Sequence, residues 1–190
     1  MANQILRGIA GLALAFAVHC QPATATEVIP LSIAALTARA ELIVQAKPIS
    51  STTLLDAEGR IYTKVELQVL ETWKGAPPGG SMSVVLGGGL LGDRRTVVSG
   101  QVQYRIGEEC VAFLIRNTRG EYLTVGLQQG KFKIELDAST GVKLAANPFV
   151  QSITNSTGIA KSAATGGGGE SVPLTLELLK KEVLSNSSLK

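Results

Sequence analysis

The chain reads as mainly β: an antiparallel barrel or sandwich with a short N-terminal helix and a C-terminal helix. Two observations predict this class. Apolar and polar residues alternate with period 2 in several short segments. Turn-forming Gly, Pro and Asn residues separate those segments, with little helical periodicity between them. The length, 190 residues, suits one domain with a packed core. With 45% hydrophobic residues the chain is too apolar to be disordered, and with 17% charged residues and a net charge of +3 it does not read as a dedicated nucleic-acid binder.

The N-terminus is expected to be removed. Arg7 is the only charged side chain before Glu27, Gly8 to Val18 is an apolar run, and Ala23-Thr24-Ala25 is a small-x-small cleavage site. Those are the three parts of a secretory signal peptide over residues 1–25. The apolar run is too short to span a bilayer, so no transmembrane segment is predicted and the chain is read as periplasmic or secreted. Cys20, soon after the run, offers lipidation as an alternative, although Val18 and His19 fit that pattern poorly. Cleavage removes Arg7, the only histidine (His19) and one of the two cysteines (Cys20). What remains has no imidazole for a Ser-His-Asp or Cys-His pair, and Cys110 is left without a disulfide partner. The reading is therefore non-enzymatic, and no catalytic residue, metal or cofactor is assigned.

Residues 26–150 form the predicted barrel domain. Ser32 is the expected N-cap of a helix running to about Ala40, with Ile33, Leu36 and Ala40 on one face. Residues 40–47 turn into a strand, apolar at Leu42, Val44 and Ala46, and 51–59 read as a loop. The clearest strand is 61–73, where Ile61, Val65, Leu67, Val69 and Trp73 alternate with polar neighbours and Glu71 is an exception. Lys74 to Gly80 supplies turn chemistry. Met82 to Leu86 is a third strand, and Gly87-Gly88-Gly89 opens a flexible loop through Leu90, Leu91, Asp93, Arg94 and Arg95. That loop lacks the Gly-Lys-Ser/Thr of a phosphate cradle. Thr96 to Val98 and Gln101 to Arg105 are short strand candidates.

Cys110 to Ile115 is continuously apolar, as in a strand buried on both sides. Asn117 to Gly120 makes a hairpin turn into Tyr122 to Leu127. Lys131 to Asp137 alternates, with Phe132, Ile134 and Leu136 on one face. Residues 151–172, rich in Gly, Ser and Thr, read as a flexible linker. Residues 173–190 read as an amphipathic helix with Pro173 at its first position. Its stripe is Leu174, Leu178, Leu179 and Val183, and it is expected to dock on the barrel.

Few side chains carry chemistry. Cys110, in the most apolar segment, reads as a buried inert thiol. Glu108 and Glu109, adjacent in a strand, would face opposite ways and make a poor acid/base pair. Arg94, Arg95, Arg105, Arg116 and Arg119 read as solvated charges on the barrel rim, and no nucleic-acid partner is assigned.

Ala40 to Ser50, a polar loop, then Ile61 through Trp73-Lys74-Gly75 together resemble the opening of the tissue inhibitors of metalloproteinases, a netrin-module pattern. Phe113-Leu114 and Gln129-Gly130-Lys131-Phe132 are similar to segments of exported bacterial proteins of unassigned role. The resemblance implies an OB-fold, a five-stranded barrel whose loops and one face bind partners. In the animal inhibitors a free N-terminal cysteine, held rigid by disulfides, places its amine and carbonyl on the protease zinc. The expected start here is Thr26-Glu27, with no disulfide, so the resemblance carries over the fold and a protein-binding rim but not that mechanism.

The binding residues are expected at Thr26 and Glu27 together with Leu90, Leu91, Arg94 and Arg95, because a Leu pair flanked by arginines has the composition of an interface anchor. The expected function is an exported, non-enzymatic module for another exported protein, with a secreted metalloprotease as the candidate. The alternative is OB-type binding of an envelope glycan or small polar ligand, for which Tyr62, Tyr104 and Tyr122 are the only tyrosines available.

Overall fold

The structure is a computed structural model that describes residues 29–150, 152–153 and 172–188. The expected signal peptide, Cys20, Thr26, Glu27 and most of the predicted linker lie outside the described residues. Helix α1 spans Ile33–Arg39. The strands that follow are β1 (Leu42–Leu55), β2 (Ile61–Lys74), β3 (Ser81–Gly87), β4 (Gly89–Leu91), β5 (Arg94–Thr96), β6 (Cys110–Arg116), β7 (Tyr122–Thr124), β8 (Lys131–Leu136) and β9 (Lys143–Ala146). Two-residue strands β10 (Ser152–Ile153) and β11 (Val172–Pro173) pair with each other, and α2 spans Leu176–Ser187.

Five of these strands close a barrel, in the order β1-β2-β3-β7-β6, with β6 returning to pair with β1. Counted along the barrel chain alone, that order is 1-2-3-5-4-1. The closing seam runs from Leu42↔Leu114 to Ala46↔Cys110. One pair departs from the antiparallel expectation: β3 and β7 run parallel and meet only at Val84↔Tyr122.

The continuous apolar run of β6 has a direct explanation. Alternate residues of a strand point to opposite faces. Cys110, Ala112 and Leu114 fill the barrel interior with Leu42, Val44, Val65, Leu67 and Val84. Val111 and Phe113 point the other way, into a second core beneath the helices with Ile43, Trp73, Phe132, Leu36, Leu179 and Val183. The small side chains Ala46, Cys110 and Ala112 at the seam suit the narrow bore of a five-stranded barrel.

Helix α1 starts as expected: the Ser32 hydroxyl accepts from the Ala35 amide at 3.1 Å. Its other end is held by Lys74, whose ammonium donates to the carbonyls of Thr37 and Ala40, both at 2.6 Å. Those carbonyls belong to the end of a helix, where backbone acceptors lack intrahelical partners. Gly75 then passes so close to the chain that a Cβ would lie 2.4 Å from the Glu41 carbonyl oxygen, and its φ is +76°. The Trp-Lys-Gly segment is thus a junction between barrel and helix.

Several expectations are corrected. The predicted loop 51–59 is mostly strand: β1 continues to Leu55 and pairs with β2 as a long ribbon, and only 56–60 turn. Polar side chains there are compatible with a strand because the ribbon extends beyond the core, where both faces meet water. The alternation in β2 breaks because Leu70 and Trp73 are skipped in the register with β1, and Trp73 turns into the second core. Gln101 to Arg105 forms no strand, and Val102 and Tyr104 anchor it in the barrel interior instead. Leu136, expected on the apolar face of its strand, is 67% exposed at the strand's outer end.

Helix α2 begins at Leu176, not at Pro173, because Thr175 supplies the cap, accepting from the Leu178 amide at 3.2 Å. The preceding residues are drawn into the sheet, where the Leu174 carbonyl accepts from the Ala145 amide at 2.8 Å. The helix docks on the barrel through buried Leu176, Leu179 and Val183, with Leu178 only partly buried. Lys180 meets Glu71 at 2.6 Å, and the Trp73 indole N–H donates to the same carboxylate at 3.0 Å. Among the described residues no helix is long and apolar enough to cross a membrane.

Two outcomes follow for stability. Gly75→Ala places a methyl group against a backbone carbonyl in a left-handed conformation and is expected to destabilise the fold by about 2 kcal/mol or more in urea unfolding. The Lys180 ammonium, followed by the Trp73 indole, holds the Glu71 carboxyl below its usual value. A depressed carboxyl stabilises the fold above its unfolded pKa, about 4.3, and loses that contribution as pH falls through the folded value. Lys180→Met should therefore lower stability at neutral pH by under about 1 kcal/mol, for a pair this open to solvent, with the difference vanishing in acid.

Candidate binding rim and mouth cleft

The predicted flexible loop at 87–95 is a defined hairpin. β4 and β5 pair as Gly89↔Thr96, Leu90↔Arg95 and Leu91↔Arg94. Gly88 makes the sharp exit from β3 at φ +80°, and a Cβ there would lie 2.5 Å from the Thr96 carbonyl oxygen. The hairpin is fastened to the β1–β2 ribbon: the Gly88 amide donates to the Ile61 carbonyl at 3.0 Å, and the Thr63 hydroxyl donates to the Gly88 carbonyl at 2.8 Å. The glycines therefore permit close packing here rather than mobility.

Four of the six sequence-predicted residues lie on this hairpin. Leu90 is 63% exposed and sits opposite Arg95, while Leu91, half-buried, sits opposite Arg94 on the other face. Neither guanidinium makes a hydrogen bond or ion pair among the described residues. The other two, Thr26 and Glu27, lie outside the described residues. The described chain enters at Ile29, where the Leu31 amide donates to the Gln129 side chain at 2.7 Å. In the same turn Leu127 reaches toward Gly100, on the segment that follows the hairpin.

A cleft of about 900 Å³ opens beside the hairpin at the barrel mouth. Its walls are the β1–β2 turn at 56–60, the ends of β2 and β3, the β6–β7 turn at 117–120, and Arg94 with Thr96 from β5. Both turns are held rigid by their own side chains. Asp56 accepts from the backbone amides of Glu58 and Arg60 and from the Arg60 guanidinium at 2.7 Å. The Arg60 backbone bond, with the guanidinium behind it, holds the Asp56 carboxyl below its usual value. Asn117 accepts from the amides of Arg119 and Glu121, both at 2.9 Å, and donates to the Glu121 carboxylate. Tyr62, half-buried, lines the floor.

A second cleft, of about 600 Å³, lies on the other side of the hairpin, with Leu90, Arg95, Val97 and Arg105 in its lining. Arg60 is the cleft residue that sequence reasoning missed. Its signal was the Asp-Ala-Glu-Gly-Arg turn between two alternating strands, hidden because the preceding residues were read as loop.

The remaining polar groups are structural. Tyr104 and Tyr122, two of the three tyrosines considered for a glycan, are buried: Tyr104 bonds Thr124 at 2.9 Å and Tyr122 accepts from Arg116 at 2.8 Å. Glu108 pairs with Lys131, and Glu109 pairs with Lys143 at 2.8 Å, so the two carboxylates do turn to different partners. Among the described residues no group of three or more His, Cys, Asp or Glu could hold a metal ion.

Cys110 is fully buried, and burial pushes its thiol up to about 12. A thiolate is the reactive form, so Cys110 should resist thiol reagents at pH 8 in the folded protein and react rapidly in denaturant, as a colorimetric thiol assay would show. Compared with known proteins, the chain matches no family model and no curated relative.

Proposed function

We propose that the chain is an exported, non-enzymatic binding module that engages another exported protein through its β4–β5 hairpin. The partner candidate is a secreted metalloprotease, on the strength of the netrin-module resemblance in 40–75. The observation that carries the reading is Leu90: a large apolar side chain in water, on a backbone fastened to the barrel, opposite Arg95, whose guanidinium has no partner among the described residues. Apolar anchors next to arginine dominate the energetics of interfaces. A hairpin already ordered before binding also loses little conformational freedom when it docks. Such a projection fits a partner cleft with an apolar pocket and an acidic border. An inert Cys110 and carboxylates committed to lysines support a binding role over a catalytic one.

The test is surface plasmon resonance of the purified chain against secreted zinc proteases of the source organism, with Leu90→Asp and Arg95→Glu as variants. Each variant is expected to weaken binding at least about tenfold, since each removes an anchor or inverts a charge worth more than ~1.4 kcal/mol. The thermal midpoint should stay put, because both side chains are exposed. Unchanged affinity in both variants would overturn the hairpin as the site.

A further inference from the structure

We infer that the mouth cleft is a second, separate site, and that it takes an acidic oligosaccharide whose carboxylates meet the guanidinium groups of Arg60, Arg94 and Arg119 while a sugar face lies on Tyr62. The three arginines come from three different segments, the β1–β2 turn, the hairpin and the β6–β7 turn, yet all line one cleft. The acidic residues of the same cleft do not cancel them equally. Asp56 is spent on its own turn and on Arg60. Glu121 is spent on Asn117 and, at 3.7 Å, on Arg119. Glu58, in the same turn as Asp56, also pairs with Arg60, at 2.6 Å. Each of these carboxylates thus backs an arginine of its own turn, and of the three arginines only Arg94 has no ion-pair partner among the described residues.

Guanidinium groups recognise carboxylates through paired N–H donors, and an arginine already braced from behind loses less freedom in doing so. About 900 Å³ is the size of a site for a small ligand. OB-type barrels present ligands over this part of the barrel, between the turn that joins the first two strands and the turn that joins the last two. The aromatic ring favours a sugar over an acidic peptide, which has carboxylates but no flat apolar face to stack. The burial of Tyr104 and Tyr122 leaves Tyr62 as the platform. Leu90 is not part of this cleft, so the inference stands apart from the hairpin reading.

The experiment is isothermal titration of the full chain with tetragalacturonate at low salt. Its fully methyl-esterified form and tetraglutamate serve as comparison ligands. The free acid is expected to bind, and raising the salt should weaken it. The ester, Arg94→Ala and Tyr62→Leu should each bind about tenfold or more weakly, in keeping with the loss of a charge-assisted hydrogen bond or a stacking contact. Arg39→Ala, a cation on α1 outside the cleft, and Leu90→Asp should leave binding as it was. Circular dichroism confirms that each variant is folded. No binding of the free acid, equal binding of its ester, or equal loss in Arg39→Ala would overturn the site. Tetraglutamate binding as tightly would overturn the sugar and assign the cleft to acidic peptides.

Discussion

The structure depends on one strand being wanted on both faces. β6 closes the barrel against β1 and at the same time floors the second core under the two helices. Side chains from the two faces of a strand share one backbone, so the barrel and the helical layer cannot be separated energetically. Phe113 makes the point: it lies on the strand that seals the barrel, yet its ring meets Phe132 at 5.6 Å outside it. Cys110, the one cysteine among the described residues, is a free thiol, and this double burial joins the layers.

The residues that carried the family resemblance acquire a mechanical meaning from the same arrangement. Trp73 enters the second core, Lys74 ties off α1, and Gly75 permits the close pass at Glu41. A pattern of this kind specifies how helix and barrel meet. It says nothing of what the rim binds, which is why the resemblance supports a fold more directly than a function.

Rim and core divide the polar residues between them. The buried or half-buried polar groups (Lys131 with Glu108, Tyr104 with Thr124, Asn147 with three backbone carbonyls) find partners inside the chain. Those at the mouth are held by their turns but keep donors facing water. A barrel end is where this division is forced, because the strands stop pairing and the connecting turns must satisfy their own backbone.

What could be read along the chain was whatever depends on near neighbours. The Ser32 cap, the alternation of β2 and β8, the two-sided apolar run of β6 and the Asn117 turn were legible because each is written within a few residues. Long-range pairing was not. Ser51 to Leu55 look like a loop until β2 lies alongside them, and Gly87 to Arg95 look mobile until Thr63 and Ile61 fasten the hairpin. Leu90 was recognisable as an anchor by composition, whereas the meeting of Arg60, Arg94 and Arg119 was not, since 25 to 59 residues separate them in sequence. The sequence by itself determined the mainly β class, the principal strands β2, β3, β6 and β8 and the apolar run that two cores share. The tertiary structure alone decided the closing seam and the cleft, because both exist only where segments distant in sequence are folded against one another.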